Sequence, residues 1–235
     1  MSSEVAETAI VYPGTVLGEG CKILDYAVVG KQPTLGPRST AMQEELAPLE
    51  LGAGTVVSTG AIVFAGTRVG ARAIIGDQAC VRERCDVGDD VVIGRGALVE
   101  NDSSVGARTK IQADAYVTAY STLEEDVFIA PRVITTNDNF MGRTEKRHAL
   151  RNGPTIRRGA RVGAGAVICP AVEIGVEAFV GAGAVVVKDD NRVVAVEDRR
   201  SLNWHGWHSC HGLNRAVSYA DGVPDSRSPF YKKGE

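Results

Sequence analysis

The sequence predicts an all-β protein in which one short unit repeats along most of the chain. Three observations lead there: aliphatic residues recur at every sixth position, glycine often follows them directly, and glycine is abundant (27 residues) while aromatic residues are scarce (6%). A core of small branched side chains is typical of β structure. A period of six fits neither a helix face nor a long alternating strand, so each unit is predicted to be one short strand and a turn.

The repeat runs in three blocks that differ in register. The central block has a Leu, Ile or Val at fourteen consecutive sixth positions, from Leu51 to Ile129. An earlier block runs from Val5 to Leu35, and a later one runs from Ile156 to Val186. The two breaks predict inserts near 37–50 and 136–155. If about three units close one coil, the roughly 26 units form about eight or nine coils of parallel strands. The residue after each aliphatic is expected at a tight corner, where the freedom of glycine at positive φ is useful.

The repeat domain is predicted to span 1–188, and 189–235 is predicted to be a C-terminal tail. The tail holds His205, His208 and His211 beside Cys210, spaced as H-x-x-H-x-x-H. We predict no metal site, because no second cluster completes the ligand set within the tail. The tail is expected to pack on the end of the coil, to lie across a neighbouring subunit or to be disordered.

Charge and composition exclude several classes of protein. The chain has 26 basic and 29 acidic residues, a balance that argues against a general nucleic-acid binder. No apolar run approaches the roughly 20 residues that cross a bilayer, so membrane insertion is not expected. The first residues are polar and acidic, unlike a secretory signal, and the five cysteines are scattered. A cytoplasmic protein with reduced thiols is therefore predicted.

The glycine-containing units resemble the hexapeptide-repeat acyltransferase superfamily. They include Ile75-Gly76, Val87-Gly88, Ile93-Gly94 and Val105-Gly106. The resemblance covers residues 5 to about 188, and it implies a left-handed parallel β-helix. It also implies a homotrimer whose active sites lie between neighbouring subunits, with an acyl-CoA as the donor.

Shorter motifs are similar to one subgroup, which N-acetylates amino-deoxy sugars carried on UDP or dTDP. These motifs are Glu100-Asn101-Asp102, Lys110-Ile111-Gln112, Asp126 to Pro131, Thr136-Asn137-Asp138, Gly163 to Ala166 and Gly181 to Gly183. The likeness implies acetyl-CoA as co-substrate and a nucleotide sugar as acceptor. The Gly-x-Pro-Ala element with which the subgroup contacts the adenine end is missing after Lys188-Asp189, which leaves those contacts unassigned.

The insert at 136–155 is the predicted acceptor loop, because functional residues concentrate on loops that interrupt a rigid scaffold. Asn137 and Asp138 are expected to hydrogen-bond the sugar or its amine, and Arg143 and Lys146 to meet a pyrophosphate. His148, the first histidine of the chain, is a candidate catalytic base. The alternative interpretation is a solvated surface loop.

On the coils themselves, Asp114 is the candidate that would orient the amine or accept its proton. It is also interpretable as an exposed turn residue. Gln112 and Asn101 are predicted substrate contacts. The predicted donor contacts are small residues that admit the pantetheine: Gly163, Ala164, Gly165, Gly181 and Ala182. A basic patch is predicted to meet the CoA phosphates, and it consists of Arg157, Arg158, Arg161 and Lys188. The glycines are equally typical of plain corners, and the charges of a solvated face.

Three alternative functions share the predicted fold. A sugar O-acetyltransferase would depend more on a histidine base, and the chain has no histidine before His148. A γ-class carbonic anhydrase would need three histidines on the coils, which the repeat lacks. A non-enzymatic scaffold would not need the polar insert. The N-acyltransferase is therefore the leading hypothesis.

Overall fold

A computed structural model describes residues 2–36, 39 and 45–187. The described chain is a solenoid of short strands arranged in three parallel sheets, here called faces A, B and C, with one short helix, α1 (Arg147–Leu150). Because Lys188 and the tail at 189–235 lie outside the described residues, the predictions for them stay predictions. The all-β, left-handed parallel β-helix predicted from the sequence is confirmed.

Strands follow one another around the three faces, so each coil contributes one strand to each sheet. Face A contains β1 (Glu4–Val5), β4 (Lys22–Ile23), β7 (Val56–Val57), β10 (Ile74–Ile75), β13 (Val92–Ile93), β16 (Lys110–Ile111), β19 (Phe128–Ile129), β22 (Arg161–Val162) and β25 (Phe179–Val180). Face B contains β2 (Ile10–Val11), β5 (Val28–Lys31), β8 (Ile62–Phe64), β11 (Cys80–Val81), β14 (Leu98–Val99), β17 (Tyr116–Val117), β20 (Ile134–Thr135), β23 (Val167–Ile168) and β26 (Val185–Val186). Face C contains β3 (Val16–Leu17), β6 (Glu50–Leu51), β9 (Arg68–Val69), β12 (Asp86–Val87), β15 (Ser104–Val105), β18 (Thr122–Leu123), β21 (Thr155–Ile156) and β24 (Glu173–Ile174). We number the coils 1 to 9 from the N-terminus by their strand on face A.

The repeat positions form the core. Ile75 pairs with Ile93 and Ile93 with Ile111, eighteen residues apart, and all three side chains have no exposed surface. Each two-residue strand therefore turns its second side chain inward and its first outward. Equivalent side chains of successive coils stack at intervals of about 4.8 Å, so the inward columns form a continuous apolar interior. The predicted period of six and the roughly three units per coil follow from this arrangement.

The glycines that directly follow the repeat aliphatics serve a different purpose from the one predicted. The left-handed backbone occurs two residues later, at positions such as Gly96 (φ 65°) and Asp114 (φ 57°), where many side chains are tolerated. By contrast, a Cβ on Gly52 would lie 2.4 Å from the carbonyl carbon of Gly70 in the next coil. Glycine is needed there because stacked turns approach closely, so the predicted positive φ at this position was wrong.

Both inserts leave the solenoid at the same corner, between faces B and C. The first connects β5 to β6 after coil 2, and the second connects β20 to β21 after coil 7, so five coils, or roughly 24 Å, separate them. Leu35, assigned to the repeat from the sequence, lies within the first insert and outside any strand. Thr135, only 1% exposed, takes an inward position that the spacing of aliphatic residues alone did not predict. Among the described residues, no helix is long and apolar enough to cross a membrane.

Candidate functional site

The three corners of the prism differ in chemistry, and only two of them carry predicted site residues. The corner between faces C and A is a ladder of ion pairs. Arg72 binds Asp90 and Arg108 binds Asp126 through paired hydrogen bonds of 2.6–2.7 Å, one residue of each pair on successive coils. The hydrogen bonds from Arg108 hold the pKa of Asp126 below its ordinary value. Because the charges at these exposed pairs are mutually satisfied, this corner is structural and contributes little net stability.

The A–B corner brings Asp114 together with the predicted donor residues. Four successive turns stack there: Gln112-Ala113-Asp114 on coil 6, Ala130-Pro131-Arg132 on coil 7, Gly163-Ala164-Gly165 on coil 8 and Gly181-Ala182-Gly183 on coil 9. Main-chain hydrogen bonds of 2.8–3.1 Å join each turn to the next, the last from the Gly183 N–H to the Ala164 carbonyl. Asp114 therefore stands about 10 Å from the first glycine-rich turn and about 14 Å from the second.

The surface of this corner is low and accessible. A Cβ on Gly165 or Gly183 would meet nothing within 4 Å, so nothing in the described chain occupies the space above them. Gly163 is different, because a Cβ there would lie 2.5 Å from the Ala182 nitrogen, and the stacking alone requires glycine. Asp114 is exposed, with Arg95 Nη1 at 3.6 Å from its carboxylate.

The B–C corner carries Asn101, Asn137 and the second insert. Asn101 lies on coil 5, and Asn137 follows β20 on coil 7, thirty-six residues or two coils later. Asn137 Nδ2 donates to the Ala119 carbonyl on the intervening coil at 3.3 Å, which anchors the start of the insert. Asn101 Nδ2 donates a hydrogen bond to the Asp102 carboxylate at 2.6 Å, and Asp102 accepts two more hydrogen bonds from Arg84 at 2.6 and 2.8 Å.

Inside the insert, several predicted ligand-binding side chains hold the loop itself. The Asp138 carboxylate accepts the Phe140 and Gly142 amides at 2.8 and 3.1 Å, and burial, which alone would raise its pKa, is outweighed by these bonds so that the pKa is lowered. His148 Nδ1 is contacted by Arg151 Nη2, and His148 Nε2 lies 3.3 Å from Glu145. Both ring nitrogens of His148 are therefore engaged by side chains of the insert.

Arg143 and Lys146 are exposed on the insert and form no ion pair within the described part of the chain. Phe140, Met141 and Leu150 are also exposed, Met141 to 91%, so the tip of the insert presents apolar side chains to its surroundings. A shallow depression of about 310 Å³ lies against Asn139, Phe140, Met141 and Arg143. The geometry therefore leaves these side chains available to a ligand or to a neighbouring subunit.

One chain alone does not assemble the predicted catalytic residues. Asp114 and Gln112 lie at the A–B corner, whereas Asn101, Asn137, Asp138 and His148 lie at the B–C corner. The two corners are the opposite edges of face B, and six residues of near-extended chain separate them by up to roughly 20 Å. A small sugar cannot contact both corners of the same subunit.

Sequence reasoning missed a charged cluster on the B–C corner between the two inserts. Glu83 is only 2% exposed and accepts two hydrogen bonds from Arg82, at 2.8 and 3.1 Å, while Arg82 stacks over the Phe64 ring at 4.9 Å. Burial raises the pKa of the neighbouring Glu100. The signal was present in the tripeptide Arg82-Glu83-Arg84, which places three consecutive charged residues in one turn of the repeat. No group of three potential metal ligands occurs among the described residues.

Face B differs from the other faces in its outward side chains. All nine outward positions are uncharged and mostly aliphatic: Ile10, Val28, Ile62, Cys80, Leu98, Tyr116, Ile134, Val167 and Val185. On face C the same positions after β3 are polar or charged: Glu50, Arg68, Asp86, Ser104, Thr122, Thr155 and Glu173. An apolar stripe along a whole face is typical of a surface that is covered by another protein.

Neither a protein-family model nor a curated protein matches this chain. Solved structures do match. LpxA, a UDP-N-acetylglucosamine acyltransferase from Bacteroides fragilis, aligns with a TM-score of 0.51 at 11% identity over 83% of this chain and 72% of its own. The UDP-N-acetylglucosamine acyltransferase of Arabidopsis aligns with a TM-score of 0.49 at 16% identity over the same shares. A variant of AntD, an N-acyltransferase from Bacillus cereus in complex with dTDP and coenzyme A, aligns with a TM-score of 0.36 at 16% identity. The alignment covers 61% of this chain and 77% of AntD. Only the first likeness bears on this chain, and it concerns the fold.

Proposed function

We propose that this chain, which folds as the left-handed β-helix acyltransferases do, is an acyl-CoA-dependent N-acyltransferase. Its donor in this proposal is acetyl-CoA, and its acceptor is the amino group of an amino-deoxy sugar linked to UDP or dTDP. The observation that carries the proposal is the A–B corner, where exposed Asp114 stands on the same ladder as the open turns at Gly165 and Gly183. A pantetheine arm laid along those turns would bring its thioester toward the aspartate.

The proposal includes a homotrimer with face B toward the threefold axis, supported by the apolar stripe on that face. In such an assembly the A–B corner of one subunit meets the B–C corner of the next. Asp114 on coil 6 would then face Asn137 of the partner subunit on coil 7, a difference of one coil or about 5 Å along the axis. The trimer thereby unites the two corners that a single chain keeps apart, and the exposed tip of the insert would rest on the neighbour.

In the proposed reaction the neutral amine attacks the thioester carbonyl, an N–C bond forms, the C–S bond breaks, and the thiolate leaves. Asp114 would hold the amine through its N–H groups and take up the proton that nitrogen loses. Holding the two reactants together can supply ~7–11 kcal/mol of the barrier. Main-chain N–H groups of the turns are available to the oxyanion.

The proposal assigns the proton to Asp114 rather than to His148, because both ring nitrogens of His148 are engaged within the insert. Asn137 would position the sugar, with Asn101, Gln112 and Asp138 as further polar contacts. Arg143 would meet the pyrophosphate through its paired N–H donors and Lys146 as a point charge at the exposed edge. Gly163, Ala164, Gly181 and Ala182 would line the donor groove. We place the reaction in the cytoplasm, where acetyl-CoA and nucleotide sugars are both made.

The decisive experiment is thiol release from acetyl-CoA over a panel of amino-sugar nucleotides, with the product mass measured. Asp114→Asn should lower kcat at least 100-fold with little change in KM, since removal of a proton acceptor acts on the chemical step. A double alanine substitution at Asp114 and Asn137 that keeps full activity would refute the site. Acetylation of hydroxyl sugars alone would favour an O-acetyltransferase, and a silent panel would favour a scaffold.

A further inference from the structure

Face A carries a shallow depression that the site above does not use. It has a volume of about 310 Å³ and spans coils 6 to 8. Its lining consists of Arg108, Lys110, Asp126, Val127, Phe128 and Arg161.

The depression holds an excess of positive charge. Arg108 is neutralised by Asp126 through two hydrogen bonds of 2.7 Å. Lys110 and Arg161 have no carboxylate within 4 Å among the described residues, and Arg161 is held in place by donating to the Asp126 main-chain carbonyl. Three cations thus face one carboxylate, and the two uncompensated ones are available to an anion.

An aromatic ring lies between the two uncompensated cations. The parallel register pairs Lys110 with Phe128 and Phe128 with Arg161, so the three outward side chains stand on successive strands about 4.8 Å apart. Phe179, 47% exposed, follows Arg161 on the next strand. Rings that offer a stacking face between cations are the combination by which proteins hold a nucleobase together with its phosphates.

The outward side chains on the rest of face A differ from those of the depression, as they would not on an evenly charged, solvated surface. At coils 3 to 5 the same outward column is Val56, Ile74 and Val92, without a charge. At coil 2 the corresponding Lys22 is paired with Glu4 at 3.5 Å. Cations without a carboxylate partner among the described residues, alternating with rings, therefore begin at coil 6, the level of Asp114. From there β22 and β25 run directly into the glycine turns of the A–B corner.

We propose that this depression binds the nucleoside-phosphate end of a reactant, with phosphate between Lys110 and Arg161 and the base against Phe128 or Phe179. Binding of such an anion needs nothing from the acyl-transfer proposal. Which reactant supplies it rests on that proposal: the 3′-phospho-ADP end of the CoA or, in place of the pyrophosphate contact proposed for Arg143 and Lys146, the nucleoside diphosphate of the sugar. An extended pantetheine starting here has up to roughly 20 Å of face A to cross before it reaches the A–B corner.

The test is equilibrium binding of adenosine 3′,5′-bisphosphate, and separately of UDP and dTDP, to the full chain by calorimetry at two salt concentrations. Lys110→Glu should weaken binding at least tenfold and flatten its salt dependence. Lys22→Glu is the matched control, since it reverses the same charge in the same Lys-Ile strand of the same face four coils away, and it should leave affinity unchanged.

Bisphosphate binding that depends on Lys110 supports the proposal with CoA as the source, and UDP or dTDP binding that depends on Lys110 supports it with the sugar nucleotide as the source. Equal affinities of the Lys110→Glu and Lys22→Glu chains, or no binding of any probe, would overturn it. A chain that binds a probe through Lys110 but releases no thiol with any amine leaves this inference standing and removes only the proposed reaction.

Discussion

Replacing Leu98 by glutamate on the outer side of face B should break the proposed trimer without unfolding the subunit. Leu98 is the outward residue of β14 on coil 5, at the middle of the apolar stripe, and its inward neighbour Val99 holds the core. The substitution changes no inward side chain and no main-chain bond. If face B lies against two other copies, each subunit contributes one Leu98 to the contact.

The size of the effect follows from burial. Fully burying a leucine side chain contributes about 1.5–3 kcal/mol. Leu98 is already partly covered by its neighbours in the subunit, so we take the lower value, which amounts to about 4.5 kcal/mol over three copies. That loss lowers the trimer association constant by about three orders of magnitude, before the further cost of placing three carboxylates in an apolar contact.

Sedimentation velocity or light scattering at micromolar protein should therefore show monomers for Leu98→Glu and trimers for the unchanged chain. The control is Thr122→Glu, the same new charge on the outward side of face C, which should stay trimeric. Circular dichroism should show the same β content in all three proteins. The reasoning about face B fails if Leu98→Glu remains trimeric, or if the unchanged chain is itself a monomer. Loss of acyl transfer together with the trimer would further support a site shared between subunits.

Three further outcomes follow from the described contacts. Gly52→Ala should lower the free energy of unfolding by about 2 kcal/mol or more, because the new Cβ would overlap the next coil. Gly60 has φ +67° and no neighbour nearer than 3.7 Å to an added Cβ, so Gly60→Ala should lower the free energy of unfolding by only about 1 kcal/mol. Equal urea midpoints for the two variants would contradict this. Burial raises the pKa of Cys85 to about 12, so iodoacetamide at pH 8 should modify it only in denaturant, and native alkylation seen by mass spectrometry would disprove its burial. Burial opposes ionisation of Asp102, but hydrogen bonds from Arg84 and Asn101 outweigh burial and lower the pKa of Asp102. The ionised carboxylate therefore stabilises the fold above pH ~4, and this stabilisation is lost as the pH falls through the lower pKa of the folded state. The unfolding free energy of the unchanged chain should exceed that of Asp102→Asn at pH 7, and the difference should shrink by pH 3; a constant difference would refute this account.

Much of the solenoid could be read from the chain because its core is local. Every inward side chain, such as Ile93 or Ile111, must be buried within six residues of the last, and stacking places identical positions on top of one another. A long run of aliphatics at this one spacing therefore predicts a stacked apolar core. Failures came where a polar residue filled the inward place, as Thr135 does, and where Leu35 matched the spacing by coincidence inside an insert.

The candidate site was predicted less completely, because its residues are related by position around the prism rather than by spacing. Asp114 and Asn137 are 23 residues apart, which is one coil plus most of a face, and this places them on different corners. Whether one chain brings these two residues together could be judged only once three strands were known to close a coil. Glu83 likewise reads as an exposed turn residue until the neighbouring coils bury it.

The sequence by itself determined that the strands are short, which side chains form the inward columns and that the chain leaves the solenoid twice, because these depend on hydrophobic burial at a fixed interval. Only the tertiary structure decided which turns share a corner, that both inserts leave at the same one, and that Gly52 is required by the backbone of the coil beside it. Those relations arise between residues eighteen positions apart, where the stacking of one coil on the next, and no local preference, sets what each side chain meets.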